Sequence, residues 1–182
     1  MTTWQRIEAG SAEHGVCIAM NRWGTRRALI RTFRLVSRLG DGAAWYALIA
    51  LIALCGGERG LHAALHMACT GGVCAVLYRV LKRWTRRARP FRTHADITAY
   101  IAPLDEFSFP SGHTLHAVAF TVVTLAYFPW LAPLLVPFAV LVALSRVVLG
   151  VHYPSDVLAA ILIGAGLGAL SLWLVQPALP IG

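Results

Sequence analysis

The chain has 182 residues, 58% of them hydrophobic and 13% charged, with sixteen Lys and Arg against eight Asp and Glu for a formal net charge of +8. Soluble domains run at about 45–50% apolar and about 25% charged, so this composition excludes an ordinary soluble domain and indicates one membrane-embedded unit. It also argues against a nucleic-acid-binding module, because so apolar a chain leaves little surface for a groove; the positive excess suits anchoring to anionic lipid instead.

Residues 1–38 are polar and basic, and no apolar core precedes a small-residue cleavage site, so no removable signal peptide is expected. The basic residues fall in two clusters, Arg6 to Arg38 and Lys82 to Arg92, each beside an apolar run. Between Leu29 and Leu39, apolar Leu29, Ile30, Phe33 and Val36 interleave with Arg31, Arg34 and Arg38. That pattern predicts an amphipathic helix on the membrane surface with its long Arg stems snorkelling. Gly40-Asp41-Gly42 should break it. The expected organisation is an interfacial segment over 1–40 and a membrane domain over 41–182.

Ala43 to Cys55, extended to Gly57, is a first apolar run, short against the ~20 residues a span needs; Trp45-Tyr46 opens it at an interface-like position. Further spans are predicted over Leu61–Leu81, Ser111–Phe128, Leu131–Leu149 and Pro154–Val175, with a basic connector over 82–109 and an uncharged tail from Gln176 to Gly182. The continuous runs are too long for strands. The fold class expected is an all-α integral membrane bundle of about five transmembrane helices plus the N-terminal amphipathic segment. Ala160, Gly164 and Gly168, spaced by four, should let another helix approach closely. Pro129 and Pro133 suit a helix start, and Pro137 should kink the following helix or delay it. Cys17, Cys55, Cys69 and Cys74 form no C-x-x-C pair and are expected as small core residues.

Three segments carry chemistry. Lys82 and Arg89 are seven residues apart, close to two helical turns, so a helix running up to Pro90 would turn both to one side. Pro110-Ser111-Gly112-His113 opens a predicted helix, whose first N–H groups have no partner within it and attract oxyanions. The Ser111 hydroxyl can add a hydrogen bond, and Gly112 admits close approach of a ligand. Ser145-Arg146 closes the fourth span and is followed by the turn residue Gly150, then His152 and Asp156. If the last helix starts near Tyr153-Pro154, Asp156 folds back onto His152, fixes its tautomer and leaves the other nitrogen nucleophilic. No carboxylate stands three or four residues from His113. Arg146 offers a planar fork for phosphate oxygens. His62/His66 and His113/His116 have spacings a metal could use, but neither pair has a third clustered ligand.

In order and spacing these segments resemble the three signatures of the type 2 phosphatidic acid phosphatase superfamily, K-x6-R-P, P-S-G-H and S-R-x5-H-x3-D, matched here without departure over residues 82–156. The resemblance implies a helical membrane enzyme with no cofactor and no metal, hydrolysing a lipid phosphate monoester or diphosphate through a phosphohistidine. It implies His152 as nucleophile, Asp156 as its orienting partner and His113 as general acid. Lys82, Arg89, Ser111, Gly112 and Arg146 would bind phosphate. Many members have six spans, one more than is counted here. A small polyprenyl diphosphate phosphatase is the narrower alternative. A non-catalytic protein binding anionic lipid heads has no use for His152 and Asp156, and a vanadium haloperoxidase, which shares the anion site, is soluble and larger. Membrane lipids are the expected surroundings and nucleic acid is not an expected partner. The positive-inside rule puts residues 1–40 and 82–109 in the cytoplasm, whereas small members of the family, multi-pass in the bacterial inner membrane, commonly face the periplasm or exterior; the latter is the expectation adopted.

Overall fold

The computed structural model describes residues 12–175. Arg6, the first part of the expected 1–40 segment and the tail from Gln176 lie outside the described residues. Every regular element described is helical: α1 (Ala12–Asn21), α2 (Arg27–Arg38), α3 (Ala44–Cys55), α4 (Gly57–Thr85), the single turn α5 (Pro90–Thr93), α6 (Gly112–Tyr127), α7 (Ala132–Val148) and α8 (Pro154–Val175). The protein is an all-α, multi-pass membrane bundle.

Among the described residues, four stretches are long and apolar enough to cross a bilayer: Arg27–Cys55, Gly57–Thr93, Pro129–Val148 and Pro154–Val175. The expected span over 111–128 is helical for only 16 residues, or about 24 Å at 1.5 Å per residue. It is the central helix, burying Leu115, Ala117, Ala119, Phe120 and Val123 against α4, α7 and α8. The first span is longer than expected. Gly40-Asp41-Gly42 does not end α2; a π-turn over Leu39–Ala43, kinked at Gly42 with φ 135°, carries it into α3. Both glycines and Asp41 are thereby held inside a bent helix.

The apolar stripe of α2 is used within the protein. Ile30 and Phe33 cluster with Val148, Leu149 and Val151 at the end of α7, and Val36 joins the main core. Trp45 is buried, its ring 5.4 Å from Phe120 and 5.3 Å from Phe138, so Tyr46 alone of the pair is exposed. Cys17 and Cys74 are buried as expected, while Cys55 and Cys69 are exposed on their helices. Pro137 neither delays α7 nor stops it, and sits inside the helix. Asn21 ties α1 to the rest: its amide donates to the carbonyls of Thr98 and Val148 at 2.9 and 3.1 Å and accepts the Thr98 N–H at 3.0 Å.

The small-residue face of α8 lies on α6. A Cβ on Gly164 would come within 2.6 Å of the Leu115 carbonyl oxygen, which is backbone and cannot yield. Gly166 has nothing within 4 Å of that position. Gly164→Ala is therefore expected to destabilise the protein by roughly 1–3 kcal/mol through overpacking, and Gly166→Ala to be neutral or slightly stabilising through helix propensity. Thermal unfolding of the two variants in detergent checks this; equal midpoints would show that α6 and α8 do not approach so closely.

Candidate active site

Helix ends from four directions meet at one cavity of about 530 Å³. Lys82 lies in the last turn of α4 and Arg146 in the last turn of α7, while α6 and α8 begin beside them with Gly112-His113 and Asp156. Cations suit helix C-termini and anions suit N-termini. The polar end of the cavity is formed by Lys82, Arg89, His113, Arg146 and His152. Its apolar flank, between α3 and α4, is formed by Trp45, Ile49, Ala68, Gly71 and Ala75.

Lys82 and Arg89 do not share a helix face. α4 stops at Thr85, Arg86 turns left-handed with φ 48°, and Arg89 follows in extended backbone. What brings the two cations together is Asp105, whose Oδ1 accepts from Lys82 Nζ at 2.8 Å and from Arg89 Nη2 at 2.7 Å. Burial alone would raise the Asp105 carboxyl, but the bonds and charges of Lys82 and Arg89 outweigh it and hold the group below the ordinary carboxylate range. Lys82 also donates to the Phe107 carbonyl at 2.7 Å, and Arg89 Nη1 to the Val151 carbonyl at 2.7 Å.

His152 is 2% exposed and Asp156 0%. Gly150, with φ 74°, makes the turn, and its missing Cβ would fall 2.4 Å from the Thr98 carbonyl oxygen, so the backbone passes there only as glycine. α8 starts at Pro154 and Asp156 sits in its first turn, as the spacing predicted. The two side chains approach to 3.5 Å between Nδ1 and Oδ2, close enough for attraction but wider than a formed hydrogen bond. On the other side Arg89 Nη1 lies 3.3 Å from His152 Nε2. A guanidinium only donates, so Nε2 presents its lone pair towards Arg89, and the ring proton belongs on Nδ1 facing Asp156.

Asp156 is held by more than His152. Its Oδ2 accepts from the Ser108 hydroxyl and from the Tyr153 N–H at 2.8 Å, and its Oδ1 from Arg87 Nη1 at 2.9 Å. Arg87 reaches on to Glu13 at 2.9 Å and stacks over the Tyr153 ring at 4.1 Å. Ser108 and Arg87 were not read from the sequence. Both lie inside or beside the recognised signatures, but only the fold shows that they converge on Asp156.

His113 Nε2 pairs with Asp41 Oδ1, from the π-turn 72 residues earlier. The absence of a carboxylate at helical spacing from His113 therefore does not leave it without one; the partner arrives through tertiary structure. Gly112 borders the cavity, but Ser111 does not: its hydroxyl pairs with Thr114 at 3.0 Å and its N–H donates to the Asp156 carbonyl at 3.2 Å. Arg146 is 2% exposed; one Nη bonds the Ser37 hydroxyl, and its buried Nε has no hydrogen-bond partner among the described residues. Two further histidines have structural contacts: His66 Nδ1 lies 3.0 Å from the Tyr127 hydroxyl, and the His116 nitrogens face the Gly112 and Gly71 carbonyls at 2.8 and 3.3 Å.

The profile of the PAP2 superfamily matches residues 59–179, more than half the chain and all of the cavity's cationic residues. The chain belongs to the PAP2 superfamily. It is 31% identical over 147 residues to decaprenylphosphoryl-5-phosphoribose phosphatase of Mycobacterium tuberculosis, covering 80% of each chain. Two solved structures share the fold. The PAP2-type phosphatidylglycerolphosphate phosphatase of Bacillus subtilis superposes with TM-score 0.74 at 25% identity, covering 98% of this chain and 93% of that one. LpxE of Aquifex aeolicus gives 0.75 at 26% identity, covering 87% and 93%. This PAP2 protein is accordingly a membrane lipid phosphatase, a hydrolase of phosphoric esters or diphosphates.

Burial, with the charges of Arg89 and Arg146, outweighs the favourable pull of Asp156 and pushes the His152 imidazole down from 6.5 to about 3. Between those values the unfolded PAP2 chain binds a proton that the folded one excludes, so stability rises with pH across the window and is lost as pH falls from 6.5 towards 3. His152→Gln is expected to show a flatter fall in unfolding midpoint over that range than wild type. Parallel curves in detergent would show that His152 is not held neutral by burial.

Proposed function

We propose that the protein removes a terminal phosphate from a lipid phosphate monoester or diphosphate by attack of His152. The observation that supports this most strongly is the arrangement around Nε2: a neutral, buried imidazole with its lone pair on the side of Arg89, and a carboxylate behind Nδ1 fixed by three donors besides the imidazole. The phosphoryl group sits among Lys82, Arg89 and Arg146, with the first N–H groups of α6 at Gly112 completing the seat. Ser111 acts by shaping that helix start.

Attack by Nε2 forms a P–N bond as the P–O bond to the leaving group breaks. His113 gives a proton to the departing oxygen, and Asp41, paired with its Nε2, opposes the burial and the Arg146 charge that disfavour the imidazolium. The Nδ1 proton of His152 moves closer to Asp156 as the ring gains positive charge. Water then attacks the phosphohistidine, His113 accepts its proton, the P–N bond breaks and inorganic phosphate leaves. The fixed cations balance charge on the phosphoryl oxygens, so no metal enters the reaction.

The lipid tail lies along Trp45, Ile49 and Ala68, between α3 and α4. A polyprenyl carrier is the narrower reading, favoured by the Mycobacterium tuberculosis relative, whose name gives a decaprenyl-linked substrate. We place the enzyme in a bacterial inner membrane with the cavity facing outwards; using Lys82 and Arg89 for phosphate weakens the inference from basic loops that they lie inside.

His152→Ala is expected to abolish phosphate release from lipid and from p-nitrophenyl phosphate while leaving the protein folded. His113→Ala should lose about 10²–10⁴-fold on the lipid and much less on the activated ester, whose leaving group needs little protonation. Asp41→Asn should follow His113→Ala in weaker form. Measuring kcat/KM for each variant on both substrates checks this; equal losses for His113→Ala on the two would remove the acid role. Wild-type activity should persist in EDTA. Loss on chelation, restored by one added divalent ion, would overturn the metal-free mechanism.

A further inference from the structure

Outside the cavity, the end of α1 nearest Glu13 meets the segment that follows α5. His14, His94 and Asp96 each point one ligand atom into the same space, and these three atoms lie within 4.8 Å of one another. His14 and His94 stack with ring centroids 3.9 Å apart and planes 17° from parallel, and His14 Nε2 lies 3.2 Å from Asp96 Oδ1. None of the three borders the cavity.

We propose that His14, His94 and Asp96 form a binding site for a transition-metal dication of the zinc type, separate from the catalytic cavity. The donor set is two imidazoles and one carboxylate, the combination that suits zinc, nickel or copper and not magnesium or calcium, which take oxygen ligands. Zinc binds nitrogen and carboxylate oxygen at about 2.0–2.2 Å and lies in the plane of each imidazole it meets, so the atoms must draw together and one ring must swing out of the His14–His94 stack. The two members free to do so are the more exposed ones, His14 at 20% and Asp96 at 51% side-chain exposure. His94 is buried and set edge-on to Tyr153 at 6.2 Å, which makes it the anchor.

The site has a structural consequence. Residue 13, next to His14, accepts from Arg87 at 2.9 Å and from the Ser155 N–H at 2.7 Å, and Arg87 holds Asp156. A metal bridging His14 to His94 and Asp96 fastens α1 to the 94–96 segment 80 residues later and so braces the outer end of the Arg87–Asp156 pair. Its effect is on stability. Catalysis uses none of these ligands, and the expected persistence of activity in EDTA is unaffected.

The test uses the full-length chain in detergent with any affinity tag removed, after dialysis against chelator. Zn²⁺ titration by calorimetry and Co²⁺ absorption spectra are recorded for wild type, His14→Ala and Asp96→Ala. Expected are one Zn²⁺ per chain in wild type, binding at least tenfold weaker in both variants, Co²⁺ visible bands that vanish in His14→Ala, and an unfolding midpoint raised by Zn²⁺ but not by Mg²⁺. Binding, not the midpoint, decides, because either substitution also breaks the His14–Asp96 bond. No stoichiometric Zn²⁺ in wild type, or wild-type affinity retained in either variant, overturns the proposal.

Discussion

Three cations, Lys82, Arg89 and Arg146, are buried to within 5% of full burial around one cavity, and the rest of the structure is organised to make that tolerable. A buried charge without a partner costs several kcal/mol even after relaxation. Asp105 serves two of the three through a single oxygen. Among the described residues, the Arg146 guanidinium has only the Ser37 hydroxyl as a hydrogen-bond partner, and its buried Nε has none. The cavity therefore stays positive, and an anion with several oxygens is the complement that it lacks. The same charges bear on His152: with burial they keep it neutral, the form that a nucleophilic role requires.

The helical framework follows from where those groups must sit. Lys82 on α4 and Arg146 on α7 each lie in a last turn, and Asp156 lies in a first turn, so backbone dipoles oppose none of them. α6 must begin at the cavity for Gly112 and His113 to reach it, which leaves the helix short for a bilayer. It is central, and the glycines of α8 let it pack closely enough to be covered on that side. The kink at Gly42 serves the site too, since it holds Asp41 against His113 in the middle of an otherwise membrane-length helix.

Much of this was legible beforehand. The turn at Gly150, the start of α8 at Pro154 and the approach of Asp156 to His152 follow from local spacing, and the positions of four of the five expected spans follow from continuous apolar runs. What could not be read was pairing across the chain. Asp41, Arg87, Asp105 and Ser108 are ordinary loop or helix-end residues in sequence; each acquires meaning from a partner between 16 and 72 positions away. Helical periodicity also misled once, because Lys82 and Arg89 seemed to share a face when the chain between them unwinds at Arg86. Ser111 was assigned to phosphate from its type and place, whereas its hydroxyl and N–H are both satisfied within the protein.

The central claim is that the phosphoryl group passes through a covalent bond to His152 Nε2. It is tested most directly by rapid quench of the enzyme with a ³²P-labelled lipid phosphate into alkali, where phosphohistidine survives, followed by mapping of the labelled peptide. The account predicts acid-labile, alkali-stable label on the peptide holding His152, and none in His152→Ala. Label on His113, or full turnover with no trapped protein-bound phosphate at any quench time in an enzyme slowed by His113→Ala, would contradict it.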